Sequence, residues 1–388
     1  MSGVLALAAA AGCLAWFAQA AFLFLHLLRL RTPSKRSVPE PRAWPSISAV
    51  IPARNEQDSV GAALRSRLAD DYPALQLVVV DDRSTDATPD IIADIAATDD
   101  RVVPLRVDAL PEGWLGKVHA LDRGVATATG DWLLVSDADV HMLPGGLRTA
   151  MTYCEAEGLD FLALVPEFRS RSFAVNVAWT VFMRVLATAV DPSAVRNPMR
   201  RTAMGSGAFM LARRSVYDRT PGYEHLRLET TDDIALGLMM KQAGARCDFA
   251  NGYGIATISI YGSLRELFAG VEKNAGALAR PPFLAVAAAL LVAGLVEFSP
   301  LIALSSGVKW AQWLGLAGVT IATASAAATL WVNTRNVVPA LLWPIGWLVV
   351  AGAVLRAAWL MHRRGGVVWR DTFYSREELL EGQRFRMM

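Results

Sequence analysis

Three pairs of aspartates frame the chemistry open to this chain: Asp81 with Asp82, Asp137 with Asp139, and Asp232 with Asp233. The middle pair closes the stretch TGDWLLVSDADVHM (129–142), where the apolar run Trp132-Leu133-Leu134-Val135 gives way to two carboxylates one residue apart. Alternate side chains leave an extended backbone on the same side, so both can face one divalent ion or the groups it carries. Hard oxygen ligands favour Mg2+ or Mn2+ over zinc, and such ions are commonly held by one or two carboxylates together with substrate phosphates. An isolated Asp-X-Asp also occurs in solvated turns. This one follows an apolar strand and has a second acidic strand end upstream, which points to a phosphate-bearing substrate. His141 has the right type for a third ligand, although a surface histidine after a strand is the simpler reading.

Positioning these acids requires a particular architecture. Ile47 to Pro52 reads as a short apolar strand, and Asn55 to Leu68 as a helix with Val60, Leu64 and Leu68 on one side. The pattern repeats with a strand at 75–80, a polar turn at 81–86 and a helix at 87–97, then a strand at 101–105 and a helix at 118–127 leading into Trp132. Strands apolar on both faces that alternate with helices predict a parallel sheet covered on both sides. In such sheets ligands bind outside the carboxyl ends of the strands. Asp81, Asp82, Asp137 and Asp139 all fall at such ends and converge on one crevice, where they would repel one another unless cations or hydrogen-bond donors stood among them.

The ends of the chain are of another kind. Of 388 residues, 53% are hydrophobic, and the mean hydropathy of +0.32 is high for a purely soluble domain. Residues 3–28 carry no formal charge, enough for one helix across a ~30 Å hydrocarbon core, and Arg29, Arg31, Lys35 and Arg36 follow. The positive-inside rule then places the N-terminus outside and the next segment in the cytoplasm, at an inner cell membrane. Three further apolar spans lie at 283–304, 310–332 and 338–361. Three crossings would put outside a tail that carries Arg363, Arg364, Arg370, Arg376, Arg384 and Arg386, so the first span, with Glu297 and Pro300, is expected to break and not to cross. The expected organisation is a membrane helix at 1–30, a catalytic domain at 45–280, two to three membrane helices at 281–362 and a basic tail at 363–388. Three scattered cysteines fit no metal spacing and no disulfide framework. The net charge of +2 without a basic, aromatic-laced stripe gives no reason to expect a nucleic acid partner.

The ordered segments SAVIPARNE (48–56), VVVDDRSTDAT (78–88), GKVHAL (116–121), SDADV (136–140) and TTDDIALGLMMKQAG (230–244) resemble the family 2 glycosyltransferases, whose catalytic domain has the GT-A fold, a Rossmann-like α/β domain with a mostly parallel sheet. Carried onto this chain, the resemblance implies that Arg54, Glu56, Asp81 and Asp82 hold the nucleotide base and ribose, with Asp82 at the base. It implies that Lys117 lies near the diphosphate, that Asp137 and Asp139 form the metal and diphosphate motif with Mg2+ or Mn2+, and that an acid of TTDD is the catalytic base. Transfer with inversion needs such a base away from the metal, to take the acceptor's proton. Asp233 fits, at the start of an apolar-periodic helix, with Asp232 as the fallback because the family usually has Thr-Glu-Asp there. Simple helix capping by acids is the competing reading.

The acceptor is the less defined partner. Residues 173–190 read as a helix suited to the membrane interface or to the core, and Gly205-Ser206-Gly207 as a turn that shapes the acceptor side. Segments 260–277 and 366–379 resemble parts of glycosyltransferases that act on carotenoids and other lipids, though those carry Arg-Met-Tyr where this chain has Ser259-Ile260-Tyr261. The expected function is transfer of a sugar from a nucleotide-sugar donor to a membrane lipid. Two rivals are a processive polysaccharide synthase, whose Gln-X-X-Arg-Trp motif does not follow Asp233, and an inactive membrane scaffold, which would have no electrostatic reason to keep clustered acids.

Overall fold

The computed structural model describes residues 2–273, 279–369 and 372–384. A first helix, α1 (Ser2–Arg29), precedes an alternation of strand and helix: β1 (Ile47–Ala53), α2 (Val60–Leu68), β2 (Leu75–Asp82), α3 (Thr88–Ala96), β3 (Val102–Val107), α4 (Gly116–Thr127) and β4 (Trp132–Val135). Every residue of β1 and β4 is buried, as strands covered by helices on both faces require. β1 pairs in parallel with β2 and β4, and β2 with β3, so the ends of β2 and β4 open on the same edge. Helix α2 starts later than its apolar spacing suggests. Asn55 takes a left-handed φ of 53°, and its side chain accepts the Thr85 N–H at 2.9 Å, which keeps residues 54–57 as a loop locked to the turn after β2.

Beyond β4 the chain runs through β5 (Val140–Met142), α5 (Gly146–Glu157), β6 (Phe161–Val165), β7 (Glu167–Arg169), α6 (Phe173–Ala189), α7 (Pro192–Arg196), β8 (Met210–Arg213), α8 (Arg214–Tyr217), α9 (Asp232–Gln242), β9 (Cys247–Asn251) and β10 (Ala256–Ser259). The main sheet has the order β3-β2-β1-β4-β8-β6-β9, parallel except for β8, which is antiparallel to both neighbours. A small sheet, β5-β10-β7, stands beside it and begins directly after Asp139. The fold is α/β with a mostly parallel sheet, as the apolar strands and their helices predict.

The last third contains α10 (Leu264–Lys273), α11 (Phe283–Leu304), α12 (Lys309–Asn333), α13 (Trp343–Arg364), the hairpin β11 (Gly366–Trp369) and β12 (Thr372–Ser375), and α14 (Arg376–Gly382). By length and composition α1, α11, α12 and the segment Val338–Arg364 could each cross a membrane. α1, α11 and α12 pack on one another. The expected break in the first C-terminal span is absent: α11 runs unbroken through Glu297 and Pro300. Pro300 cannot donate to the carbonyl of Val296, but the Ser299 hydroxyl does so at 2.7 Å, so that carbonyl keeps a donor. Glu297 is buried in an ion pair with Arg184 of α6, whose guanidinium lies 4.5 Å over the Trp16 ring.

α13 has partners of two kinds. It packs along α6, α10 and α11, and Arg356 and Arg364 pair with Glu272 of α10 at 2.7 and 2.6 Å. The tail then returns to the α/β domain, where the Arg384 N–H donates to Glu229 at 3.0 Å. Tail and sheet are therefore in direct contact. Of the two readings of residues 173–190, neither suffices alone. α6 buries Val175, Ala178 and Val181 against the apolar helices and leaves Phe173, Phe182 and Val185 exposed.

Candidate active site

At the end of β2, Asp81 and Asp82 are both buried. Asp81 Oδ1 accepts the Ser84 N–H at 3.2 Å. Asp82 takes two bonds from Arg83, Nε at 2.8 Å and Nη2 at 3.3 Å, and Arg54 Nη1 stands 3.9 Å from its Oδ2. Two arginines thus offset the desolvation of this carboxylate. The opening of α4 presses against the same group: a Cβ on Gly116 would collide with Asp82 Oδ2 and approach Arg83 Nη2, so glycine is what permits the contact. Glu56 belongs to the neighbouring loop, where its backbone N–H donates to Thr88 Oγ1 at 2.7 Å and its carboxylate accepts the Ser59 hydroxyl at 2.8 Å.

At the end of β4 a buried cation lies behind the second acid pair. Arg67, fully buried on α2, donates from Nη2 to Ser136 Oγ at 2.9 Å and to the Asp137 carbonyl at 2.8 Å. Burial lowers its pKa to about 10, and the charges of Asp139 and Asp137 oppose that fall. In the sequence Arg67 reads as an ordinary polar residue of an amphipathic helix; its one distinguishing signal is its place beside Leu64 and Leu68, on the buried face.

Lys117, on the first turn of α4, joins this strand end to the third pair. Its Nζ is 2.9 Å from Asp137 Oδ1 and 3.7 Å from Asp232 Oδ2. Burial disfavours the ammonium, but Asp137, Asp232 and Asp233 together hold its pKa above the usual lysine range. Asp232 is buried, and desolvation pushes it up to about 6 against the pull of Lys117. Asp233 is half-buried; its Oδ2 accepts the Gly207 N–H at 3.1 Å and its Oδ1 the Ile234 N–H at 2.8 Å. The Gly205-Ser206-Gly207 turn is therefore the seam between α9 and the β4 end. A side chain at Gly205 would run into the Asp233 carbonyl, and a Cβ at Gly207 would lie 3.0 Å from both Asp137 Oδ2 and Lys117 Nζ.

These residues fit a hard divalent ion held mainly by its substrate. Asp137 and Asp139 offer two carboxylates, the glycine at 207 keeps the space beside Asp137 Oδ2 clear, and no third His, Cys, Asp or Glu joins them among the described residues. His141 is a paired residue of β5, with its pKa lowered by burial and by Arg67 and Arg169. One element of the site escapes sequence reasoning altogether. Tyr374 of the tail hairpin is buried with its phenolic oxygen on the Gly116 N–H, beside Asp82 and Arg83.

Residues 45–269 match the family described as Glycosyltransferase like family 2. The chain belongs to that family. Among its family 2 relatives, the chain is similar to 4,4'-diaponeurosporenoate glycosyltransferase of Staphylococcus aureus, 28% identical over 200 residues, which is 50% of each chain. It is also similar to the succinoglycan biosynthesis protein ExoO of Rhizobium meliloti, 33% identical over 114 residues, covering 29% of this chain and 31% of that one. The match thus spans half or less of these curated relatives. A mannosyltransferase from Pyrobaculum calidifontis, solved in complex with GDP-Man and Mn2+, aligns over 92% of this chain and 99% of its own with a TM-score of 0.56 and 21% identity. That likeness concerns the fold: the family 2 domain here has the GT-A architecture, carried with apolar helices at both ends of the chain.

Proposed function

We propose that this chain is a membrane-anchored, inverting glycosyltransferase that moves a sugar from a nucleotide-sugar donor to a lipid acceptor at the cytoplasmic face of the inner membrane. The observation that carries the reading is Lys117, which links the Asp-X-Asp strand end to the acids that open α9. A diphosphate bound there would meet a fixed ammonium at one end of a crevice and a general base at the other.

In this reading Arg54, Asp82 and Arg83 bind the base and ribose of the donor, with Asp81 shaping the turn and Glu56 holding the adjoining loop. Lys117 binds the diphosphate. Asp137 and Asp139 would hold Mg2+ or Mn2+, which when bound stabilises the negative charge that grows on the departing nucleotide. Asp233 accepts the proton of the acceptor hydroxyl. Its exposure favours it over Asp232, and the two N–H donors keep its carboxylate oriented while each oxygen retains a lone pair for the proton. Asp232, buried against Lys117, positions that lysine.

The packing of α13 and the tail supports a topology in which α1, α11 and α12 cross and α13 lies against the α/β domain. The test is a donor screen on the detergent-purified chain, with Mn2+ or chelator and with or without a lipid extract. Release of a nucleoside diphosphate that needs both metal and lipid is expected. No metal-dependent nucleotide binding with any donor would overturn the reading.

A further inference from the structure

The cavity beside the small sheet carries a charge that the donor site does not use. It has a volume of about 660 Å3 and is walled by Arg169, the last residue of β7, by Arg171 after it, by Asn176 of α6, Glu266 of α10, and by Leu330 and Thr334 at the end of α12. The lining itself holds two arginines and one glutamate. Both Glu266 oxygens are engaged within its own turn, by the Gly262 N–H at 2.9 Å and the Ser263 hydroxyl at 2.8 Å. Arg169 reaches Glu167 only at 3.4 Å, and among the described residues Arg171 forms no ion pair.

The register of the sheet connects this cavity to the reaction centre. Ile258 pairs with Val140 on one side and with Phe168 on the other, in one row across the three strands; Asp139 immediately precedes Val140, and Arg169 follows Phe168. Val140 and Phe168 are thus two strands apart, roughly 10 Å. A group held at Arg169 is too distant to be the attacking atom beside the Asp-X-Asp motif, but it is well placed to anchor the molecule that attacks.

Two features identify the source of such a group. The wall includes the end of α12, a helix of bilayer-spanning length, and the turn after it exposes Val338, Leu341 and Leu342. A free anion in water has no use for those apolar neighbours, whereas a lipid headgroup does.

We infer that this cavity binds the anionic group of a membrane lipid through Arg169 and Arg171, and that this lipid is the acceptor, whose nucleophilic hydroxyl reaches toward Asp233. The inference rests on the glycosyl-transfer reading and narrows it to acceptors that carry both an anion and a separate hydroxyl.

The experiment is lipid titration of the full chain in detergent, followed by native mass spectrometry. The probes are dioleoyl phosphatidylglycerol, zwitterionic dioleoyl phosphatidylcholine, neutral dioleoylglycerol, oleate as a membrane carboxylate, and inorganic phosphate. The expected result is that phosphatidylglycerol binds roughly tenfold or more tightly than the zwitterionic and neutral lipids. The Arg169→Gln/Arg171→Gln double variant should lose that preference and the Arg169→Lys/Arg171→Lys variant should largely keep it. Tight oleate binding would assign the anion as carboxylate. Equal binding of charged and neutral lipids, an unchanged preference in the Gln variant, or inorganic phosphate competing as well as the lipids would each overturn the proposal. Mn2+-dependent nucleotide titration of the same preparation separates the two readings: if nucleotide binds and the lipid preference is absent, this inference alone falls.

Discussion

Lys117 Nζ stands 2.9 Å from Asp137 Oδ1, and this one contact ties the first turn of α4 to the end of β4. The residues are 20 positions apart in the chain and belong to different motifs, yet they form one electrostatic unit with Asp232. Lys117→Met should leave Asp137 and Asp232 facing each other without their shared cation. The expected outcome is a loss of nucleoside diphosphate affinity of roughly tenfold or more, read by isothermal titration. Unchanged affinity would remove Lys117 from the diphosphate site.

Asp233→Asn keeps the shape of the side chain and removes its basicity. Turnover should fall roughly 100- to 10,000-fold while donor affinity is preserved, because a general base acts in the transition state. A variant with wild-type turnover would exclude Asp233 as the base.

Asp139→Ala is expected to weaken nucleotide binding only when Mn2+ or Mg2+ is present, and to bring it to the level seen with chelator. Nucleotide affinity in the wild type that is indifferent to chelator would argue against any metal at the Asp137 and Asp139 pair.

Asp232 gives a pH dependence with a definite sign. Its pKa is raised by burial to about 6, so the folded protein binds a proton more readily than the unfolded chain. Its contribution to stability is complete below the ordinary aspartate range and is lost as the pH rises through about 6. In chelator, wild type should gain about 1 kcal/mol relative to Asp232→Asn between pH 7.5 and pH 5, seen as convergence or crossing of their thermal midpoints. Midpoints that stay parallel would show that Asp232 does not titrate in this window.

The Arg184 and Glu297 pair joins α6 to α11 out of water. Arg184→Met should destabilise the protein by about 3–5 kcal/mol because it strands a buried carboxylate, and Arg184→Met combined with Glu297→Leu should recover most of that loss. A double variant no more stable than the single one would mean that the pair has little coupling.

Much of this protein is determined by local sequence. An apolar run of four to eight residues that leads into aspartate specifies both a buried strand and a polar strand end, so β2 and β4 and the acids at 81, 82, 137 and 139 are legible without coordinates. The apolar spans are legible for the same reason, since crossing length and lack of charge are properties of a continuous segment.

What only the tertiary structure decides is which distant groups meet. Arg67 reads as a surface arginine until α2 packs its side chain behind Asp137, and Tyr374 lies 258 residues after Gly116. Glu297 and Pro300 suggest a broken helix when read alone; the partner of the charge lies far away on α6, and only the folded geometry shows that the neighbouring Ser299 takes the freed carbonyl. The packing partners of α13 are likewise invisible in its composition. Hydropathy reports the solvent that a helix tolerates, whereas its position is set by packing against α6 and by ion pairs with Glu272, which form only once the chain has folded.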